Sequence, residues 1–228
     1  MAWFMKIDVG NALFEYEDKS GYAGDQKTPL PFHHWNPGPK ITDTSNIPTS
    51  AIQTLPGEPH DAIEIASTGV ISSRLKTILE GAEPGVHQFF PVTMKRMDGT
   101  PYPDPFYIFH PTRYAPCVLL SRSGARSRIV SIHDTARLPK YFVRGDEIVI
   151  SRPAYGERKI FGSLWLEPQA LLVTDEVMAR LKSANIHYLW TYPVKELDEP
   201  WVFENEAPQD LLACLREHPD RRLRLTPF

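Results

Sequence analysis

Few side chains in this 228-residue chain stand at the spacings that chemistry requires. Histidine is the natural starting point, because its ring titrates near neutrality and ligates metals. His33 and His34 are adjacent, with Trp35 beside them and His60 further on. Neighbours on an extended chain point to opposite faces, so the pair is badly placed to share one ion. No Cys or acidic residue stands near them at a regular ligand spacing, and neither a metal site nor a cofactor is expected. His110 and His133-Asp134 each follow an apolar run, where a turn or capping role competes with that of a general base. Cys117 precedes Val118-Leu119-Leu120, a setting for an inert buried thiol rather than a nucleophile. Between Ser121 and Arg128, Gly124 sits among serines and Arg122, Arg126 and Arg128. Amides, hydroxyls and guanidinium forks of this kind can cradle phosphate, and the same residues also describe an exposed basic loop. The dinucleotide, P-loop, zinc-protease, nucleophile-elbow and CxxC signatures are all absent from the sequence. No catalytic constellation is assembled by spacing alone.

The elements that would position these residues suggest an α+β fold: one mixed, mainly antiparallel sheet system with few helices. Residues 2–9 and 12–17 read as strands joined at Gly10-Asn11, a hairpin signal. Asp61–Ile65 alternates polar and apolar residues, as a half-buried strand does. Further strands are expected at 87–92, 106–109, 128–132, 147–150, 159–161 and 186–192. Ser72 is a plausible N-cap for a helix with Leu75, Ile78 and Leu79 on one face. A second helix starts near Thr174 with Asp175 and Glu176 in its first turn, and a third opens at Pro208. Residues 70–92 align without gaps to 172–194, each a capped helix, a short turn and an aromatic strand ending in Pro-Val. This predicts two equivalent helix–strand units in one domain spanning 1–228.

Composition narrows the class. A hydrophobic fraction of 42% suits a chain that builds a core, and no apolar run reaches the length of a membrane helix. With two cysteines and a start lacking signal-peptide character, a reducing cytoplasm is the expected location. The net charge of −3 hides opposing blocks: residues 113–159 carry 10 basic and 4 acidic residues, whereas 1–68 carry 4 and 9. Acidic segments folding against the basic one would neutralise it internally, so direct nucleic-acid binding is not expected. Seven of the 22 prolines fall between residues 29 and 59 among Phe32, Trp35, Ile41, Ile47, Ile52 and Leu55. Proline bars a long helix or central strand there, and the apolar content points to an ordered, extended segment within 1–60.

The segment from Ser72 to Phe89-Phe90-Pro91-Val92, the tracts Tyr107-Ile108-Phe109-His110 and Lys159-Ile160-Phe161-Gly162, and the stretch from Val173 to Val194 together resemble a bacterial immunity-protein family. It is domain of unknown function 1629, or immunity family eleven of the polymorphic toxin systems. The resemblance covers about residues 60–195. It implies a binding protein that neutralises a cognate toxin, encoded by a neighbouring gene, by occluding the toxin's active site. It carries over no catalytic residue. Two surfaces then stand out as toxin-binding candidates. One is the proline-braced stretch Phe32, His33, His34 and Trp35, with Tyr102 and Phe106 further on. The other is acidic and aromatic: Glu196, Asp198, Glu199, Trp201, Phe203, Glu204 and Glu206. The alternatives are an enzyme acting on a phosphorylated or nucleotide substrate through Arg122, Arg126, Arg128 and His133, and an adaptor domain of a secretion system.

Overall fold

Strand residues alternate between separate apolar cores, and that alternation sets the architecture. The computed structural model describes residues 1–7, 13–17, 37–66, 68–124, 126–127, 141–142, 147–163, 165–166 and 170–207, with isolated positions at 209, 212–213 and 216. Their strands are β1 (Ala2–Ile7), β2 (Phe14–Tyr16), β3 (Ser50–Gln53), β4 (Ala62–Ile65), β5 (Thr68–Ser72), β6 (Gln88–Lys95), β7 (Phe106–His110), β8 (Arg126–Ser127), β9 (Tyr141–Phe142), β10 (Val149–Ser151), β11 (Ile160–Phe161), β12 (Ala170–Thr174), β13 (Leu189–Pro193) and β14 (Lys195–Leu197). The helices are α1 (Ser73–Ala82), α2 (Arg152–Tyr155), α3 (Asp175–Ser183) and α4 (Phe203–Glu206). One sheet has the order β11-β12-β1-β13 and another β2-β3-β6-β7-β5-β4, with two-stranded pairs β10-β14 and β8-β9. Pairing is antiparallel except for β3–β6 and β10–β14. The fold is α+β and dominated by mixed, mostly antiparallel sheets.

Each long helix starts from a strand end. Ser72 is extended, and its Oγ accepts a hydrogen bond from the Leu75 amide at 3.2 Å while donating to Asp61 Oδ1 at 2.6 Å. Thr174 is extended as well, and the acidic Asp175 and Glu176 follow it in the first turn, where the helix dipole favours negative charge. At the far end of α3, Asn185 adopts φ +53°. The Ile186 amide donates to Leu181 O and the Asn185 amide to Lys182 O, the paired bonds of a Schellman stop. Ile186 and Leu181 pack in the same core, which completes the motif.

The units around α1 and α3 match in register. β5 and β6 flank β7, with Ser72 opposite Phe106 and Pro91 opposite Tyr107. β12 and β13 flank β1, with Thr174 opposite Ala2 and Pro193 opposite Trp3. The entry bonds match too. Ser72 N–H donates to Asp61 O and Ser73 N–H to Pro105 O, just as Thr174 N–H donates to Lys159 O and Asp175 N–H to Met1 O. What differs is where the middle strand comes from: β7 follows β6 in the chain, whereas β1 precedes its neighbours by more than 160 residues.

Between the units lies a shared core containing Met5, Ile7, Ile71, Leu75, Leu79, Phe109, Leu171, Val177 and Leu181. The opposite face of the β1 sheet, through Ala2, Phe4, Phe161 and Leu172, packs on Val118, Ile150 and Trp165. On the other side of β5 and β7, Val70, Phe106 and Ile108 share a core with Phe14, Ala51 and Met94 from β2, β3 and β6 of the same sheet and with Ile47. A carboxylate joins the units at the end of α1. Glu83 accepts the Lys159 amide at 3.2 Å and the Ile160 amide at 3.1 Å, which caps the exposed side of the short edge strand β11. The Thr112 amide donates to His87 Nδ1 at 3.1 Å, so the ring proton sits on Nε2 and is donated to Glu83 at 2.9 Å.

The expected hairpin across Gly10-Asn11 is corrected. Both edges of β1 are taken, by β12 and β13, so β2 finds its partner β3 in the other sheet. Gly10-Asn11 itself, the strand expected at 128–132 and the helix start at Pro208 lie outside the described residues.

Burial by itself would raise the Glu83 pKa, but the bonds from His87 and the two amides outweigh it and hold the carboxyl below its ordinary 4.5. That stabilisation is complete above pH 4.5 and is lost as the pH falls through the lower folded value. Burial depresses His110 from its ordinary 6.5. The fold therefore keeps this ring neutral, and stability drops below pH 6.5 as the unfolded chain takes up the proton. Urea midpoints should accordingly decline from pH 7 downward, and His110→Phe should flatten the part of the decline between roughly pH 6.5 and 5. Glu83→Ala, which strands two amides and the His87 proton, should cost roughly 3–5 kcal/mol at pH 7.

Candidate functional site

The acidic strip expected to face a partner is partly drawn inward. Glu196 lies on β14 beside β10, so Arg152 at the start of α2 reaches it: Arg152 Nε donates to Glu196 Oε2 at 3.1 Å. Tyr155 OH donates to Oε1 at 2.9 Å, and only 7% of the Glu196 side chain remains exposed. Burial and the neighbouring Glu196 push the Tyr155 phenol well up from its ordinary value. Arg152 also reaches Asp198 at 3.3 Å, although 73% of the Asp198 side chain is open to solvent. Glu199 pairs with Arg122 at 3.3 Å. Trp201 donates its indole N–H to Val118 O at 3.0 Å, and Phe203 packs against the core that contains Val118. Glu206 is buried, accepting the Ser121 amide at 2.9 Å and its hydroxyl at 3.2 Å. Asp198, Glu199 and Glu204 thus form the outward part of the strip, with Trp201 and Phe203 half-buried beneath it.

These bonds engage the basic loop as well. Ser121 meets Glu206 and Arg122 meets Glu199, while Ser123 Oγ donates to Leu119 O and accepts the Val149 amide. Gly124 donates to Glu147 O, and a Cβ on it would lie 2.8 Å from the Glu147 carboxyl, so close approach explains the glycine. Arg126 contributes backbone to β8, while Arg128 lies outside the described residues, as do Phe32, His33, His34, Trp35 and His133-Asp134. Cys117 is buried and its thiol is pushed up to about 12 by that burial. His110 donates from Nε2 to the Pro39 carbonyl at 2.9 Å, with Gly38 packed so closely that a Cβ there would meet the ring. Among the described residues no group of three or more His, Cys, Asp or Glu is placed to hold a metal ion, and no helix is long and apolar enough to cross a membrane.

One surface feature was not singled out by sequence. A cleft of about 420 Å³ opens where the start of α1, the approach to β4 and the turn after α3 converge. Asp61 binds Arg74 Nη2 at 2.8 Å, and the same guanidinium touches Asn185 O at 3.4 Å. His60 stacks on Tyr188 with ring centroids 3.3 Å apart. Tyr188 holds this position at φ +64°, rare for an aromatic residue, and stays 49% exposed. Glu58, Asp104 and Tyr102 complete the rim; burial and the Glu58 charge raise the Tyr102 phenol. The one signal in the sequence was comparative, since the alignment of the two units sets Tyr188 against Val86.

Residues 10–196 match the family described as "Immunity protein family (Imm11)", and the chain belongs to that family. No curated protein matches the chain significantly.

The buried and exposed acids separate by experiment. Glu206→Ala should cost about 1–3 kcal/mol by leaving the Ser121 amide without its acceptor, whereas Asp198→Ala should change urea stability by less than about 0.5 kcal/mol. In native protein the Cys117 peptide should resist maleimide labelling at pH 8, and label only after unfolding.

Proposed function

We propose that this protein binds a toxin domain encoded by a neighbouring gene and neutralises it by covering its active site, acting in the cytoplasm as a binding protein and not as an enzyme. Membership of the immunity family over residues 10–196 carries this reading. The outward acids Asp198, Glu199 and Glu204 support it as a steering rim, because charge on an interface edge mainly speeds encounter. Phe32, His33, His34 and Trp35 remain proposed contacts. A phosphate-handling enzyme is less well supported, since Arg122 is already engaged by Glu199.

Co-expression with the toxin domain should restore growth of the host, and the two proteins should copurify. Neither rescue nor copurification in a folded protein would discard the reading. Replacing Asp198 and Glu199 by lysine should slow association about tenfold at low salt, with much less effect at 0.5 M salt.

A further inference from the structure

The two units leave two comparable junctions, and only one is filled by a carboxylate. At the first, Glu83 fills the space between the end of α1 and the start of β11, with its oxygens on the Lys159 and Ile160 amides. The alignment of the units makes Asn185 the counterpart of Glu83, and the strand register makes Ala62 of β4, with Asp61 before it, the counterpart of Ile160 of β11, with Lys159 before it. Asparagine is shorter and is committed to the left-handed stop of α3. The second junction therefore lacks the filling carboxylate; Arg74 spans Asp61 and Asn185 O there instead, and the 420 Å³ cleft opens beside it, lined by Asp61, Arg74, His187 and Tyr188.

We propose that this cleft is the anchoring point for the toxin and that it receives a basic side chain, arginine or lysine, projecting from the toxin's surface. The proposal rests on the immunity reading above and adds the place of contact and the chemistry of the partner. Charge decides the kind of occupant. The positive end of α1 is already answered by Ser72 Oγ and Asp61, and Asp61 also neutralises Arg74. Glu58 and Asp104 pair with no cation among the described residues, so the open part of the cleft repels anions and attracts a cation. The stacked His60–Tyr188 pair offers a half-exposed aromatic face beside these acids, the arrangement on which a guanidinium rests.

The surroundings suit a protein rather than a small ion. A second cleft, of about 410 Å³, shares Glu58 and Tyr102 with the first and adds Met97. Tyr188 and Met97 line these clefts, and both belong to the six large hydrophobics exposed among the described residues. Aromatic and methionine side chains gathered with a charged rim are what distinguishes the centre of a protein interface.

The test uses the full chain and the neighbouring toxin domain, inactivated by substitution, with affinity and dissociation rate measured by biolayer interferometry. Tyr188→Asn removes the ring but keeps a residue that tolerates positive φ, and Glu58→Lys with Asp104→Lys reverses two exposed charges, so both variants should melt as the parent does. Each should weaken binding at least about thirtyfold, mainly through faster dissociation. A toxin variant with its contacting Arg or Lys changed to Glu should regain affinity for the lysine variant. Parent-like affinity in both variants overturns the proposal. So does a parent protein that sediments as a dimer which these variants dissociate, because the cleft then holds a second copy. Failure of the parent itself to bind the toxin or rescue growth removes the immunity reading, and the proposal with it.

Discussion

A single half-buried carboxylate ties the two halves of this protein together. Glu83 ends α1, yet the amides it satisfies belong to Lys159 and Ile160 on the edge of the other sheet. Those amides need an acceptor once water is excluded, and an ionised carboxylate is the strongest available. His87 makes the charge tolerable by donating a proton whose position is fixed by Thr112 on the other ring nitrogen. Helix end, edge strand and the loop after β7 are thereby held in one geometry. The shared core of Leu75, Leu79, Val177 and Leu181 then packs between elements whose relative placement is already set.

Much of the scaffold was legible because its causes are local. The N-cap at Ser72, the acidic first turn after Thr174 and the alternation in Asp61–Ile65 all operate within a few residues, and the elements they imply are present. The hairpin across Gly10-Asn11 was misread for the opposite reason. A turn signal describes what a short segment can do, whereas β1 is claimed on both sides by strands more than 160 residues away. The acidic strip shows the same limit. Sequence displays Glu196 and Arg152 as charges 44 positions apart, and only the parallel pairing of β10 with β14 brings them together, with the Glu196 carboxylate tucked in and the Arg152 side chain still exposed. The cleft was invisible for a further reason: its lining comes from segments far apart in the chain, around residues 58–61, 72–74, 102–106 and 187–188.

The opposed charge blocks acquire a physical role in this arrangement. Arg122 and Arg152 of the basic segment meet Glu199, Glu196 and Asp198 of the acidic one, and Lys159 meets Glu176. Exposed pairs of this sort add little stability singly. Their effect here is on availability, because a donor engaged by a carboxylate is not waiting for an anionic ligand. For a member of an immunity family this favours a surface read by a protein partner.

The ordering of the strands has a consequence for the newly made chain. Every strand and helix of the first unit, β4, β5, α1, β6 and β7, lies between residues 62 and 110, so it can assemble through short loops as synthesis proceeds. The second unit takes its middle strand from residues 2–7 and its flanking strands from 170–174 and 189–193. Until those late segments emerge, β1 is an apolar strand with two unpaired edges, the kind of segment that chaperones hold and aggregation consumes. The second unit therefore cannot be completed before residues 170–193 have left the ribosome, and any duty that needs both units waits for them.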